Sequence, residues 1–222
     1  MTLALTDEIA DRFFHDLLTS ARNVRLLAGW VQEGIPKSMA ALPDIRQNLI
    51  DLDAQAGLLD RTLRRTALWN GMTRKLSGTT DLKGALIRAL SEHDLISHMP
   101  HLPVRSVALA CPDERLQLIL AEMLDNARIH AGGLSELRVL IDADRAVIVI
   151  SDEGPGLERA EFDKASEPFV RLCVARSCGL GLPLVIRAVA CQGGEVWREA
   201  PRRDQHGLTL AISLPLVPEA AA

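Results

Sequence analysis

The stretch LAEMLDNARIHAGG, which runs from Leu120 to Gly133, decides how the second half of the chain folds. Its apolar residues recur at helical spacing and it closes on two glycines, so it predicts a helix that ends near His130. Inside that helix Glu122 lies four residues before Asn126, one turn away on the same face. A carboxylate and an amide one turn apart in an apolar helical pattern indicate either a structural hydrogen bond or a binding site.

The residues around this helix predict an α+β fold, a mixed sheet with helices on one face. Strand-like runs lie at residues 104–111, 135–142, 146–154, 193–199 and 207–215. Apolar residues at helical spacing lie at residues 82–95, 115–130 and 183–191. Helices precede and separate strands that pair as neighbours, and this order is typical of an α/β sandwich.

The first 72 residues predict a separate domain, a hairpin of two long helices. Thr6, followed by two acids, is typical of a helix start, and EGIPKS at residues 33–38 contains the Gly and Pro that interrupt a helix. A lone hairpin cannot cover its apolar stripe, so we expect two hairpins to form a four-helix bundle in a homodimer. The alternative is a hairpin that packs along the second domain. A polar segment at residues 71–81 predicts the linker, and the second domain is expected at residues 80–222.

Composition excludes several classes of protein. The net charge is −4 and the pI is about 5.9, whereas nucleic-acid-binding domains usually carry a basic excess. No apolar run reaches the ~20 residues that span a bilayer, and the N-terminus lacks the basic region of a signal peptide. The four cysteines have no metal-ligand spacing. We therefore expect a cytoplasmic protein without nucleic-acid partners or membrane insertion.

Two further motifs supply residues that suit a nucleotide. DEGPG, from Asp152 to Gly156, directly follows a predicted strand, and CGLGL, from Cys178 to Leu182, opens a predicted helix. An Asp at a strand end can accept the exocyclic amine of adenine, and the glycines beside it let the backbone approach a ligand. Alone, DEGPG is more typical of a surface turn. The order and spacing of the motifs together favour a nucleotide site.

Phosphates and a metal ion also have candidate residues. Exposed amides near Gly179 and Gly181, at the start of a helix, suit phosphate binding. Asn126 offers a neutral oxygen to Mg²⁺, a hard cation that prefers oxygen ligands. Glu122, on the same helix face, can hold a water or complete the magnesium shell.

In these motifs the chain resembles the catalytic ATP-binding domain of the histidine kinases, within the superfamily that also holds gyrase, Hsp90 and MutL. EMLDN is similar to the family's N box, DEGPG to its G1 box, EPFVR to its F box and CGLGL to its G2 box. The resemblance covers about residues 80–217 and implies ATP bound with Mg²⁺ under a lid at about residues 157–178. Glu122 and Asn126 would hold the Mg²⁺, and Glu122 is also implied in catalysis. The cofactor-binding residues that the resemblance implies are Asn126, Asp152, Gly154, Gly156, Arg171, Gly179, Leu180 and Gly181.

The stretch FFHDLLTSAR, residues 13–22, is similar to the family's H box. His15 lies about 200° around the helix from the core stripe, so it should face solvent, as a phosphoacceptor must. The resemblance implies His15 as the phosphoacceptor, Asp16 as the base that takes up its proton, and Thr19 as the residue that orients water for phosphatase activity. The alternative is that His15 is an ordinary surface histidine.

The resemblance implies a sensor-less cytoplasmic histidine kinase of a two-component system. It would phosphorylate His15 and pass the phosphoryl group to an aspartate of a response-regulator receiver domain. Its signal would come from a separate sensor protein or from a regulator that acts back on the kinase. Ser20 stands where the family has a proline, and Ile129 where it has a basic residue. Two alternatives stay open: a histidine phosphotransferase with a degenerate ATP domain, and a non-enzymatic dimeric scaffold that senses nucleotide.

Overall fold

The structure of the chain is a computed structural model. It describes residues 21–22, 24–26, 28–29, 31, 33–34, 43–73, 75–100, 107–142, 144–170, 172, 179–200 and 207–218, and for residues 43 and 44 only the backbone. The chain divides into two compact units, with a boundary between Gly71 and Met72. The predicted linker falls at this boundary, and its described residues from Met72 onward belong to the second unit.

The first unit contains helix α1, which runs from Pro43 to Gly71 over 29 residues. Pro43 occupies the first helical position, where its missing N–H costs no hydrogen bond. The described residues between 21 and 34 are helical as well, so helices occupy the region in which a hairpin is predicted. Large apolar side chains of α1 are exposed at Ile50, Leu52, Leu59 and Leu68. A dimer would cover such side chains, and the dimer stays a prediction.

The second unit is an α+β fold, as predicted. In chain order its described elements are β1 (Thr80–Asp81), α2 (Leu82–Glu92), a 3-10 turn (Ile96–His98), β2 (Ala108–Leu109), α3 (Asp113–Ala131), β3 (Leu134–Ile141), β4 (Arg145–Asp152), α4 (Arg159–Ala165), α5 (Gly181–Cys191), β5 (Glu195–Arg198) and β6 (Thr209–Pro215). Four of the strands form one sheet in the order β3-β4-β6-β5, and β1 pairs with β2 separately.

Every strand pair in the described residues is antiparallel, so the prediction of a mixed sheet was wrong. Ile148, in the middle of β4, lies opposite Val139 of β3 on one side and Ile212 of β6 on the other. The β3–β4 and β5–β6 pairs join consecutive strands, and consecutive strands without a crossover helix pair antiparallel. In the chain, α4 and α5 lie between the β3–β4 pair and the β5–β6 pair. In the sheet, β6 and not β5 lies beside β4.

Helix α3 has local signals at both of its ends. Asp113 and Glu114 stand in its first turn, and Arg128 and His130 in its last, which matches the helix dipole. Gly132 ends the helix in the left-handed conformation, with φ of 76°. These signals explain why the helix predicted from LAEMLDNARIHAGG is present.

The core of the second unit is aliphatic, as the scarcity of aromatic residues requires. Helices α3 and α5 pack on each other and on the sheet, and α2 packs on α3. Fully buried side chains include Leu86 of α2, Ile119 of α3, Ile148 of β4 and Leu184 of α5. Burial of an aliphatic side chain of this size contributes about 1.5–3 kcal/mol, so this layer holds the sheet and helices in fixed positions.

Candidate functional site

Asp152 is fixed at the end of β4 by two backbone amides. Its Oδ1 atom accepts hydrogen bonds from the N–H of Gly154 and the N–H of Leu208, both at 2.9 Å. The side chain is buried. Within the described part of the chain, both bonds go to Oδ1, so Oδ2 is the carboxylate oxygen that can accept a hydrogen bond from a ligand. The carboxylate is therefore oriented before any ligand arrives.

Glycine 207 allows the chain to pass directly over Asp152. Its φ is 108°, and a Cβ atom there would lie 2.0 Å from the backbone oxygen of Asp152. A Cβ on Gly156, whose φ is 74°, would lie 3.0 Å from the backbone oxygen of Gly207. Gly207 has no signal in the sequence, because its contact joins residues that are far apart in the chain.

The N-terminus of α5 lies against the N-box face of α3. A Cβ atom on Gly181 would lie 2.9 Å from Oδ1 of Asn126 and 3.2 Å from Oε2 of Glu122. Glu122 is buried and Asn126 is half-buried. The structure therefore brings together two of the sequence motifs, the EMLDN stretch and the glycines of CGLGL, with two side-chain oxygens beside a helix N-terminus.

Helix α3 also borders the Asp152 loop. A Cβ atom on Gly154 would lie 2.7 Å from Cβ of Ala131, in the last turn of α3, and 3.2 Å from Oδ1 of Asp152. One helix thus contacts the glycines of both loops, the DEGPG loop at Ala131 and the CGLGL loop at Asn126 and Glu122.

A backbone hydrogen bond joins Phe169 to Gly179, the residues on either side of residues 170–178. The N–H of Phe169 donates to the carbonyl oxygen of Gly179 at 2.9 Å, and both residues have positive φ, 66° and 70°. A Cβ atom on Gly179 would lie 2.5 Å from the backbone oxygen of Val170, so only glycine fits there. The side chain of Leu180 is fully buried, so any contact of this residue with a ligand would come from its backbone.

Two polar contacts near the site had no signal in the sequence. Ser151 and Thr209 lie opposite each other in β4 and β6, and their hydroxyl oxygens are 3.0 Å apart and buried. Arg198 at the end of β5 donates from Nη1 to the carbonyl oxygen of Leu157 at 2.8 Å. This second bond holds the residue that follows the DEGPG loop.

Several predicted site residues are not part of this geometry. His15, Asp16, Thr19, Ser20 and Arg171 lie outside the described residues, so their roles stay predictions. Helix α4 occupies part of the predicted lid, and its seven residues were too few to show a helical period.

The basic residue that the family pattern has near the end of the N box is not replaced by its neighbour. Arg128 is exposed and donates from Nη2 to Oδ1 of Asp125 at 3.0 Å, on its own helix. Ile129 at the family's position is half-buried. Neither residue supplies a cation next to Asn126.

The described residues contain neither a membrane-spanning helix nor a cluster of metal-binding side chains. No described helix combines the length and apolar character needed to cross a membrane. In the described part of the chain, no three His, Cys, Asp or Glu side chains are grouped closely enough to bind a metal ion between them. A metal ion at the Glu122–Asn126 face would therefore also need oxygen ligands from a molecule bound beside it.

With this geometry, a comparison with protein families identifies the second unit. Residues 112–218 match the family described as Histidine kinase-, DNA gyrase B-, and HSP90-like ATPase. The chain carries a domain of this family. The match begins just before α3 and ends just after β6, so this ATPase-family domain contains all of the site residues described above.

Relatives of known name place the domain within one branch of the family. The chain is 34% identical over 113 residues to Sensor protein RstB of Escherichia coli, across 48% of this chain and 26% of RstB. It is 33% identical over 104 residues to Sensor histidine kinase CpxA of Escherichia coli, across 46% of this chain and 23% of CpxA. The chain is therefore homologous to sensor histidine kinases, and it spans about a quarter of the length of these relatives.

A solved structure supports the fold over almost the whole chain. The crystal structure of full-length ShkA in complex with AMPPNP matches 96% of this chain and 47% of ShkA, with a TM-score of 0.68 and 20% sequence identity. At this identity the match shows the fold alone. It confirms the predicted architecture, a helical N-terminal region followed by an ATPase-family α+β domain.

Proposed function

We propose that this chain is a histidine kinase, which transfers a phosphoryl group from Mg-ATP to His15 and then to an aspartate of a response-regulator receiver domain. One observation carries the proposal. In a domain of an ATPase family, the N-terminus of α5 abuts the two oxygen-bearing side chains Glu122 and Asn126. Phosphates and a divalent cation need that combination of amides and oxygens.

The adenine would be recognised by Asp152. Its Oδ1 atom is occupied by the N–H groups of Gly154 and Leu208, so Oδ2 would accept the exocyclic amine of the base. Because the carboxylate is already oriented, binding costs little side-chain entropy. The buried Ser151–Thr209 hydroxyl pair joins β4 to β6 one residue before Asp152, so it helps to hold the strand end that carries this carboxylate.

The phosphates would lie at the N-terminus of α5. The amides of its first turn have no partner within the helix, and the helix dipole favours an anion there. Asn126 and Glu122 fit Mg²⁺ because an amide oxygen and a carboxylate oxygen, ligands that this cation prefers, both lie beside Gly181. When bound, Mg²⁺ would neutralise charge on the phosphates, which is the main requirement of phosphoryl transfer.

His15 would attack the terminal phosphate. A neutral imidazole nitrogen is a nucleophile near pH 7, and Asp16 beside it would accept the ring proton. The N–P bond forms as the bond between the phosphoryl group and ADP breaks. Thr19, one turn later, would orient water for removal of phosphate from the partner. A homodimer would present His15 on a four-helix bundle, and a response regulator would be its partner.

The cytoplasm is the proposed location. Cys111 and Cys191 are free thiols, and thiols stay reduced in the cytoplasm. The receiver domains and ATP that the proposal requires belong to the same compartment.

The Asp152→Asn variant tests the nucleotide-binding part of this proposal. Asn at this position keeps an oxygen for the two backbone amides but turns an NH₂ group toward the adenine amine, where an acceptor is needed. We expect the Kd for ADP, measured by calorimetry, to rise at least about tenfold, since a hydrogen bond to a charged group contributes about 1.5–3 kcal/mol.

The matched control is Asp144→Asn. Asp144 is an exposed carboxylate immediately before β4, at the opposite end of the strand from Asp152. Its replacement by Asn removes the same charge without changing the site. Equal ADP affinity in the two variants would contradict the assignment of Asp152. No ADP or ATP binding by the wild-type protein would contradict the proposed function itself.

A further inference from the structure

The residues that follow α1 are attached to helix α5 by side chains. Arg187 donates from Nε to the carbonyl oxygen of Met72 at 2.7 Å, and the Cys191 thiol lies 3.7 Å from the same oxygen. Met72 is buried, although it is the first residue of the second unit and follows the last residue of α1. The chain is thus held at the point where it enters the second unit.

Gln192 holds the same segment four residues later. Oriented so that both ends of its amide are satisfied, the side chain donates to the carbonyl oxygen of Leu76 at 3.1 Å and accepts from the N–H of Leu76 at 3.2 Å. Gln192 is fully buried. Release of Leu76 would leave the buried amide of Gln192 without these two partners, which is unfavourable because a buried polar group then loses its hydrogen bonds. The Gln192 side chain therefore pairs with both backbone groups of Leu76, as a neighbouring β-strand would.

The segment then continues onto the start of α3. A Cβ atom on Gly78 would lie 2.8 Å from Cβ of Pro112, and Thr80 donates from Oγ1 to the carbonyl oxygen of Cys111 at 2.7 Å. The anchored segment, which we define by its contacting residues Met72 and Leu76, and the residues that follow it thus contact α5 and the residues before α3. These are the two helices that carry Gly181, Glu122 and Asn126.

We infer that Gln192 and Arg187 are positioning residues, which fix the anchored segment so that the chain between the two units pivots at Gly71 and Met72 and not along the linker. This inference rests on the proposed function, because it concerns delivery of ATP to His15. Release of residues 72–76 would add up to about 17 Å of reach. The ATP domain would then sample a larger volume, and the effective concentration of its phosphate at His15 would fall.

The test compares Gln192→Met with Gln117→Met. Met has a similar volume and no hydrogen bonds. Gln117 donates from Nε2 to the carbonyl oxygen of Ala85 at 3.1 Å, so its replacement removes a similar bond that joins α3 to α2 and leaves the anchored segment intact. Each variant is examined as the full chain by amide hydrogen exchange, by ADP calorimetry and by the rate of His15 labelling at saturating Mg-ATP.

We expect the Leu76 amide of Gln192→Met to exchange at least about tenfold faster than in Gln117→Met, because its acceptor is gone. The Kd for ADP should stay within about twofold of wild type, and the labelling rate should fall at least about threefold. A lower labelling rate with an unchanged Kd for ADP distinguishes a positioning role from a purely structural one. Unchanged Leu76 exchange, or a labelling rate equal to that of Gln117→Met, would overturn the inference.

Arg187→Met is the second variant, since a fully buried glutamine can be needed for folding. Arg187 is half-buried, and its replacement removes the bond from Nε to Met72 while the Gln192–Leu76 pair stays in place. The same split between ADP affinity and labelling rate is expected. If wild-type protein binds ADP but never labels His15, the proposed function fails and the positioning role with it, while Leu76 exchange still reports whether the segment is anchored.

Discussion

At the scale of single residues, the site depends on positions without a side chain. Gly154, Gly181 and Gly207 each lie where a Cβ atom would come within 3 Å of a neighbouring atom. Two of these neighbours belong to Asp152 and Asn126, the residues proposed for adenine and Mg²⁺. The polar groups of the site and the backbone that surrounds them are therefore packed against each other before a ligand binds.

Gly207→Ala should be among the most damaging single substitutions in this domain. The new Cβ would lie 2.0 Å from the backbone oxygen of Asp152, so the backbone has to move, and φ of 108° is unfavourable for alanine. We expect a loss of about 3 kcal/mol or more in the free energy of unfolding and weaker ADP binding. Urea denaturation and calorimetry measure the two effects.

Gly193→Ala is the control for this substitution. Gly193 also has positive φ, 78°, but a Cβ atom there meets nothing within 4 Å. It should lose only about 1–2 kcal/mol from the left-handed backbone and bind ADP as wild type does. Equal losses in the two variants would show that the contact between Gly207 and Asp152 has no role.

The buried thiol of Cys111 should make the free energy of unfolding depend on pH. Burial raises the pKa of its thiol from 9.0 to about 11, and the nearby Arg115 partly opposes this shift. Between these two values the folded chain keeps a proton that the unfolded chain has lost. Stability from this group is therefore complete below about pH 9 and decreases as the pH rises toward 11, by up to about 3 kcal/mol.

Cys111→Ala should remove this part of the alkaline destabilisation. The measurement is the free energy of unfolding in urea at about pH 8 and about pH 10.5, for wild type and variant. The wild-type protein should lose more stability between the two pH values than the variant does. Parallel losses would mean that the Cys111 thiol does not titrate differently in the folded and unfolded states.

At the scale of elements, α3 and α5 form one side of the site, and strand β4 of the sheet carries Asp152. Helix α3 contributes Glu122 and Asn126 and contacts Gly154, and α5 contributes its N-terminus. The other end of α5 holds the anchored segment through Arg187 and Gln192. One helix of 11 residues thus contacts both the proposed phosphate position and the chain that leads to the first unit.

Strand β5 contributes a different kind of support, which Arg198→Met tests. Arg198 holds the carbonyl oxygen of Leu157 at the exit of the DEGPG loop, so its loss should loosen this loop. We expect faster amide exchange in the loop and a rise of about three- to tenfold in the Kd for ADP, since one hydrogen bond contributes about 0.5–1.5 kcal/mol.

Arg145→Met is the matched variant. Arg145 donates from Nη1 to the carbonyl oxygen of Gly193 at 3.3 Å and to the hydroxyl of Ser213 at 3.2 Å, at the start of β4 and away from Asp152. Its ADP affinity should equal that of wild type. If both variants bind ADP equally well, the Arg198 contact does not support the site.

At the scale of the whole molecule, features with local signals could be predicted from the sequence. Helix α3 was predictable because its acids, its apolar spacing and Gly132 all lie within it. The place of Asp152 at a strand end was predictable because AVIVIS reads as a buried strand. Resemblance to a family then joined motifs that composition and periodicity left separate.

Features that depend on contacts between distant residues could not be predicted. Gly207 passes over Asp152, and Gln192 pairs with Leu76, more than a hundred residues away. The antiparallel order of the sheet was missed because periodicity identifies strands but not their partners. The composition of residues 71–81 predicts only a polar linker, whereas its anchoring depends on a helix near the other end of the chain.

The central claim is that ATP bound in the second unit phosphorylates His15 in the first. The most direct measurement is incubation of the purified full chain with γ-labelled ATP and Mg²⁺, beside His15→Ala and the matched His98→Ala, which changes a histidine of the second unit. We predict a label that acid removes and base does not, present in wild type and in His98→Ala and absent from His15→Ala. Equal labelling of His15→Ala, or no label on a wild-type chain that binds ADP, would contradict the account.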